Sequence, residues 1–166
     1  MILLEKVRSR RHVYFMTISK KGFKPLILMC LLSLSLISCA KADVKSALEQ
    51  YMWKKRVVLI FSPHKGDARL KTQLESLEDS RAGVDDRDVV KWIMVDQEFV
   101  KVDDKYMPHL TTPPLYDAFD VGRDDFTFIL IGKDGYEKMR RNEVTQASDL
   151  FNLIDSMPMR QREVSK

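Results

Sequence analysis

The chain has 166 residues, 28 lysines and arginines against 24 aspartates and glutamates, a net charge of +4, and two cysteines. That length fits one domain, and a 45% apolar content supplies a packed core, which excludes wholesale disorder. Two cysteines exclude a disulfide-rich scaffold and a four-cysteine zinc site.

The charge is concentrated at one end. Residues 1–39 carry seven basic residues and one acid, a net of +6, whereas the remainder carries 21 basic and 23 acidic residues, a net of −2. An apolar run from Pro25 to Ser38 follows the basic stretch. This order predicts a secretory signal peptide over residues 1–39, and the run is shorter than the roughly 20 residues of a membrane span. Leu36-Ile37-Ser38-Cys39 resembles a bacterial lipobox, which predicts that Cys39 is lipidated and becomes the first mature residue. Lys41 does not resemble the aspartate signal for inner-membrane retention, so the expected location is the outer membrane or periplasm, with the membrane as a partner through the anchor. Ala40-Lys41-Ala42 offers the alternative, cleavage after Ala42 and a soluble periplasmic or secreted protein beginning at Asp43. Met16 is an alternative start for the same signal. Cys30 leaves with the signal, so no cysteine remains for a disulfide or for thiol chemistry.

In the mature chain, Val44, Ala47, Leu48, Tyr51 and Met52 have helical spacing behind Asp43, predicting a helix over 43–53. Arg56 to Ser62 is a continuous β-branched and apolar run, expected as a strand buried on both faces. Pro63-His64-Lys65-Gly66 is a loop, and Asp67 opens a helix with Leu70, Leu74 and Leu77 as its apolar stripe, ending near Gly83. Asp88 to Val95 is a second strand. Residues 96–113 read as irregular, and Leu115 to Phe119 allows a short helix. Phe126 to Ile131 is a third strand, turned at Lys133-Asp134-Gly135-Tyr136 into a fourth, Glu137 to Arg141, because Asp-Gly suits positive φ angles. A last helix over 146–156 places Leu150, Phe151, Leu153 and Ile154 inward, and Pro158 is expected to stop it. Strands joined by helices imply parallel pairing, and the final hairpin adds an antiparallel edge. The expected class is α/β: one thioredoxin-like domain over 43–163, a central four-stranded mixed sheet flanked by helices.

Several blocks carry a family resemblance: Trp53-Lys54-Lys55-Arg56 before the first strand, Arg87-Asp88-Val89-Val90, Ile131-Gly132-Lys133-Asp134-Gly135 with Lys138, and Asp149-Leu150-Phe151 through Ile154-Asp155-Ser156-Met157-Pro158-Met159-Arg160-Gln161. They resemble the thioredoxin-like domain-of-unknown-function family 4174, which occurs in bacterial secreted proteins and in vertebrate sushi-repeat extracellular-matrix proteins. The resemblance spans about residues 46–163 and implies the fold more than an activity. Peroxide or thiol reduction is the activity that a distant likeness to peroxiredoxins implies. Such enzymes place a reactive cysteine after the first core strand, where a helix N-terminus lowers its pKa. Here that place reads Phe61-Ser62-Pro63-His64-Lys65-Gly66-Asp67, without cysteine, and Asp124-Asp125 stand where those enzymes have a proline.

The loop residues Ser62, His64, Lys65 and Gly66 remain candidates for ligand binding, since N–H groups at a helix start attract anions. No Ser/His/Asp constellation accompanies His64, so no catalytic residue is assigned. Met107, His109, Met157 and Met159 are soft copper ligands in type but core fillers by default. Asp103-Asp104 and Asp124-Asp125 do not follow an EF-hand pattern and are expected as solvated turns. No metal and no cofactor is assigned. Lys54-Lys55-Arg56 and Arg140-Arg141 lie in a mildly acidic exported domain, which argues against nucleic acid. Arg160 and Arg162, beyond the last helix, are expected to cap its carbonyls, with docking to an acidic partner as the alternative. The sequence thus predicts an envelope binding or adaptor module whose partner is a protein or a small anionic ligand. The alternative is an oxidoreductase using partner thiols or non-cysteine chemistry.

Overall fold

The structure, a computed structural model, describes residue 44 and residues 46–96, 98–108 and 110–165. The predicted leader, with Cys39, lies outside these residues, as does His109. Residues 44 and 46–49 are helical and lead into β1 (Arg56–Ser62). After it come α1 (Ala68–Asp79), α2 (Arg81–Asp86), β2 (Val89–Val95), β3 (Phe99–Val102), β4 (Lys105–Tyr106) and α3 (Thr112–Ala118). The chain ends with β5 (Thr127–Ile131), β6 (Glu137–Arg141), α4 (Ala147–Ser156) and α5 (Pro158–Val164).

The sheet has six strands, in the order β4-β3-β2-β1-β5-β6, and not the expected four. The additional pair is the hairpin β3–β4 inside the segment expected to be irregular. Its turn is Asp103-Asp104, both at positive φ (44° and 67°), the geometry of a two-residue hairpin connection. Four- and two-residue strands are too short for alternation to register above the surrounding charges.

Pairing also departs from expectation. β1 and β2 are parallel, but β5 runs antiparallel to β1, with Phe61 opposite Thr127 and Val57 opposite Ile131. The chain passes from β2 through the β3–β4 hairpin, α3 and the loop over 119–126, and re-enters the sheet at the end where β1 and β2 finish.

Both faces of the sheet are covered. Val57, Leu59 and Phe61 point with Trp92 and Ile129 towards the first helix and α3; Val58 and Ile60 point with Ile93 and Leu130 towards α1, α2 and α4. All seven residues of β1 are buried, as a central strand requires. On the second face Gln73 is fully buried, and its side-chain amide both donates to the Thr145 carbonyl (2.9 Å) and accepts from the Thr145 N–H (2.7 Å). The helix expected to continue to Gly83 breaks at Ser80, and Pro158 starts α5 instead of ending the chain's helical structure, occupying the first turn where its missing N–H costs nothing.

Candidate functional site

The loop after β1 sits at the end of the sheet where β1 and β2 finish. Ser62 is fully buried: its Oγ donates to the His64 carbonyl (3.0 Å), while its N–H and carbonyl meet the Tyr116 hydroxyl at 3.1 and 2.6 Å. His64, Lys65 and Gly66 are exposed. Lys65 donates its N–H to Glu98 (3.3 Å) and pairs with the same carboxylate through Nζ (3.9 Å). Asp67 caps α1, accepting from the Arg69 N–H at 2.8 Å, and the Arg69 side chain closes on the carboxylate at 2.6 Å. The Arg69 hydrogen bond holds the Asp67 carboxyl below its ordinary pKa, against the opposing effect of burial. The helix N-terminus that attracts anions is therefore already occupied by the chain's own carboxylate.

Arg123 closes the neighbouring side, pairing with Asp96 (3.3 Å) and Asp117 (2.8 Å). Beyond Glu98 opens a cleft of about 680 Å³, lined by Phe99, Tyr106, Met107, Leu110 and Thr111 among others. Of the four predicted loop residues the structure thus brings three to the surface beside this cleft and uses Ser62 to hold them.

The other candidates resolve individually. Met107 packs on the first face of the sheet and Met157 on the second, so these two do not converge. Among the described residues no group of three or more His, Cys, Asp or Glu side chains is placed to hold a metal ion. Asp103-Asp104 is the hairpin turn, and Asp125 closes a turn onto the Gly122 carbonyl (3.1 Å). Arg140 pairs with Glu137 and Arg141 with Glu143.

At the opposite end of the sheet lies a cluster that sequence reasoning does not assemble. Arg56, 1% exposed, donates to the Arg87 carbonyl (2.8 Å) and pairs with Glu163 (3.3 Å). Lys133, 7% exposed, bridges Asp88 (2.9 Å) and Glu163 (2.7 Å), and Lys55 completes Asp88 from outside at 2.8 Å. Arg87 holds Asp155 at 2.6 Å. Arg160 does not cap α4 as expected; it is buried in α5 and bonds the Asp86 carbonyl (2.8 Å) at the end of α2, together with the Asp86 and Asp155 carboxylates. Arg162 instead bonds the Pro158 carbonyl of its own helix (3.2 Å). Lys133 is therefore more than part of a turn, and in that turn only Gly135 has positive φ (80°).

The electrostatics follow the pairing. The Lys55 hydrogen bond, with Lys133 behind it, lowers the Asp88 pKa, and the Arg87 hydrogen bond lowers that of Asp155. For Glu163, burial pushes upward, but the hydrogen bonds from Lys133 and Arg56 outweigh it and the net shift is downward. The available sequence signal is a charge at the edge of each apolar run, Arg56 opening β1 and Lys133 two residues after β5. Their shared partner Glu163 lies 107 and 30 residues away.

This arrangement is that of a thioredoxin-like protein. The chain is similar to the reduced 2-Cys peroxiredoxin of Plasmodium vivax, with a TM-score of 0.52 and 14% identity over 69% of this chain and 84% of that one. Thioredoxin peroxidase I of Plasmodium yoelii gives a TM-score of 0.51 at 14% identity, over 69% of this chain and 79% of that one. At that identity the likeness is one of fold alone. The chain belongs to the family described as domain of unknown function DUF4174, whose model matches residues 47–163. Sushi repeat-containing protein SRPX2 of Xenopus laevis is 25% identical over 122 residues, 72% of this chain and 27% of the relative. Sushi repeat-containing protein SRPX of Homo sapiens is 28% identical over 120 residues, 70% and 26% respectively. The chain thus spans less than a third of the length of these relatives. The blocks on which the resemblance rests (residues 53–56, 87–90, 131–135 and 149–161) supply most of the ion-pair cluster.

Proposed function

We propose that this protein is an exported, lipid-anchored thioredoxin-like module of the cell envelope that binds a partner protein and does not turn over a substrate. Residues 1–39 act as the signal, Cys39 carries the lipid, and residues 43–163 form the binding domain. The observation that carries this reading is the loop after β1. It holds no cysteine, and Ser62, Asp67 and Arg69 are all engaged in fixing the loop itself. A small anion meets a poor site there, because Glu98 and Asp67 already neutralise the nearby cations. A protein surface fits better: His64, Lys65 and Gly66 stand exposed on a braced loop beside the cleft at Phe99 and Met107, an apolar pocket with a polar rim.

Two measurements test this. Metabolic labelling with a palmitate analogue should mark the protein, and Cys39→Ala should abolish the label; an unlabelled mature form beginning at Asp43 contradicts the anchor. A photocrosslinker placed at Lys65 in intact envelopes should yield one saturable protein adduct. The same probe at Lys71, equally exposed at 77% but on the flank of α1, should not. Equal, diffuse labelling from both positions contradicts binding at the loop.

A further inference from the structure

Four large apolar side chains stand exposed among the described residues, and two of them, Trp53 (66% exposed) and Tyr136 (71%), occupy adjoining segments. The Trp53 N–H donates to the Lys133 carbonyl at 2.7 Å, and Met52 packs against Gly135. Trp53 has φ of 63°, a left-handed conformation that bulky side chains rarely adopt and that persists only where surrounding contacts enforce it. Tyr136 is held equally firmly: its N–H donates to Asp134 (3.2 Å), which Lys138 fixes from the other side (2.7 Å). Tyr136 and Met52, the neighbour of Trp53, line a cleft of about 430 Å³ that also takes in Leu48, Phe119 and Ile131. Two exposed aromatic side chains on braced backbone, with Lys54 exposed beside one and the Lys138 ammonium 5.8 Å from the centre of the other, have the chemistry of a membrane–water interface.

We infer that the Trp53–Tyr136 face rests in the headgroup region of the bilayer that holds the lipid anchor. The inference rests on the anchored reading above, and the tether gives it its geometry. Five residue steps separate Cys39 from Val44, a reach of at most about 18 Å. Residues 44 and 46–49 are helical and 50–53 follow in turns, a rise of about 14 Å if the whole segment is counted at the helical spacing. A tether of that reach spans a descent of this size, so the anchor does not require the domain to be lifted clear of the surface. Trp53 stands just before β1, so the loop at His64–Gly66, which follows β1, is directed away from the membrane, where a partner protein has access.

Trp53 is one of only two tryptophans, and the other, Trp92, is 1% exposed, so the difference between the emission of the wild type and of Trp53→Phe reports Trp53 alone. The lipidated protein is reconstituted into vesicles of phosphatidylethanolamine and phosphatidylglycerol brominated near the headgroup end of the acyl chains. The Trp53 component should be quenched about two-fold and become correspondingly less accessible to acrylamide. Tyr136→Ser should reduce that quenching while leaving flotation intact. A protein that floats with the vesicles yet keeps an unquenched, acrylamide-accessible Trp53 overturns the inference and leaves the anchor standing. Protection from acrylamide in intact envelopes without bromine quenching overturns it in favour of a protein contact. A protein that carries no lipid and does not float removes the anchor, and the inference with it.

Discussion

Tyr116 reaches from α3 to the last residue of β1, where its hydroxyl accepts the Ser62 N–H and donates to the Ser62 carbonyl. Burial pushes the phenol up to about 12, so it stays protonated and donating across the working pH range. Tyr116→Phe orphans a buried N–H and should lower the unfolding free energy by about 2 kcal/mol, measured by urea denaturation. At the other end, Asp88, Asp155 and Glu163 all ionise below their ordinary values of 3.8 for aspartate and 4.5 for glutamate. Because the folded pKa values are depressed, the unfolded chain takes up protons first as pH falls. The stabilisation is complete above the unfolded values and disappears as pH drops through the folded ones. The urea midpoint should therefore be flat above about pH 5 and decline steadily below it, and Asp88→Asn should make the decline shallower. Neither hydroxyl nor carboxylate partners were legible in the sequence. Periodicity places Tyr116 on a helix and Asp88 before a strand, but the partners are set by packing between distant segments.

The elements themselves were easier to read, and the exceptions share a cause. β1, β2 and β5 are buried on both faces and announce themselves as apolar runs, and β6 follows from its turn, where Gly135 takes φ of 80°. The β3–β4 hairpin lacks such a run, and Asp103-Asp104, which builds its turn, looks from sequence like any solvated acidic pair. At the chain's end, a proline such as Pro158 is compatible with either the stop or the start of a helix. Arg160 and Glu163 decide between them, because α5 buries their charges against Asp86, Arg56 and Lys133. Truncation after Met157 strips two buried cations of Glu163 and should cost about 3 kcal/mol or more in urea denaturation. Asp67→Ala removes the cap of α1 and should cost about 1 kcal/mol in the same measurement. A cost near zero for the truncation contradicts a structural role for the cluster.

At the scale of the molecule, the sheet of the described residues has two unlike ends. One collects the family's recurring charged blocks into an interlocked cluster beside the exposed Trp53 and Tyr136. The other carries the braced loop and the larger cleft, at the position where thiol enzymes of this architecture react. Fold class was legible throughout, because strand runs and helix stripes are local. The candidate site was legible only as a location, since Ser62, His64, Lys65 and Gly66 were singled out from their place after β1, and the cleft beside them is made by residues of the unrecognised hairpin and of the segment that follows it. The net charge of +4 resolves into +6 over residues 1–39 and −2 over the remainder, so it says nothing of nucleic acid. The central claim is that this fold here binds and does not catalyse. It is tested most directly by following hydrogen peroxide consumption by the purified mature protein, with and without thiol donors. No consumption above the protein-free rate is expected. Robust turnover that disappears in His64→Ala would contradict the binding role.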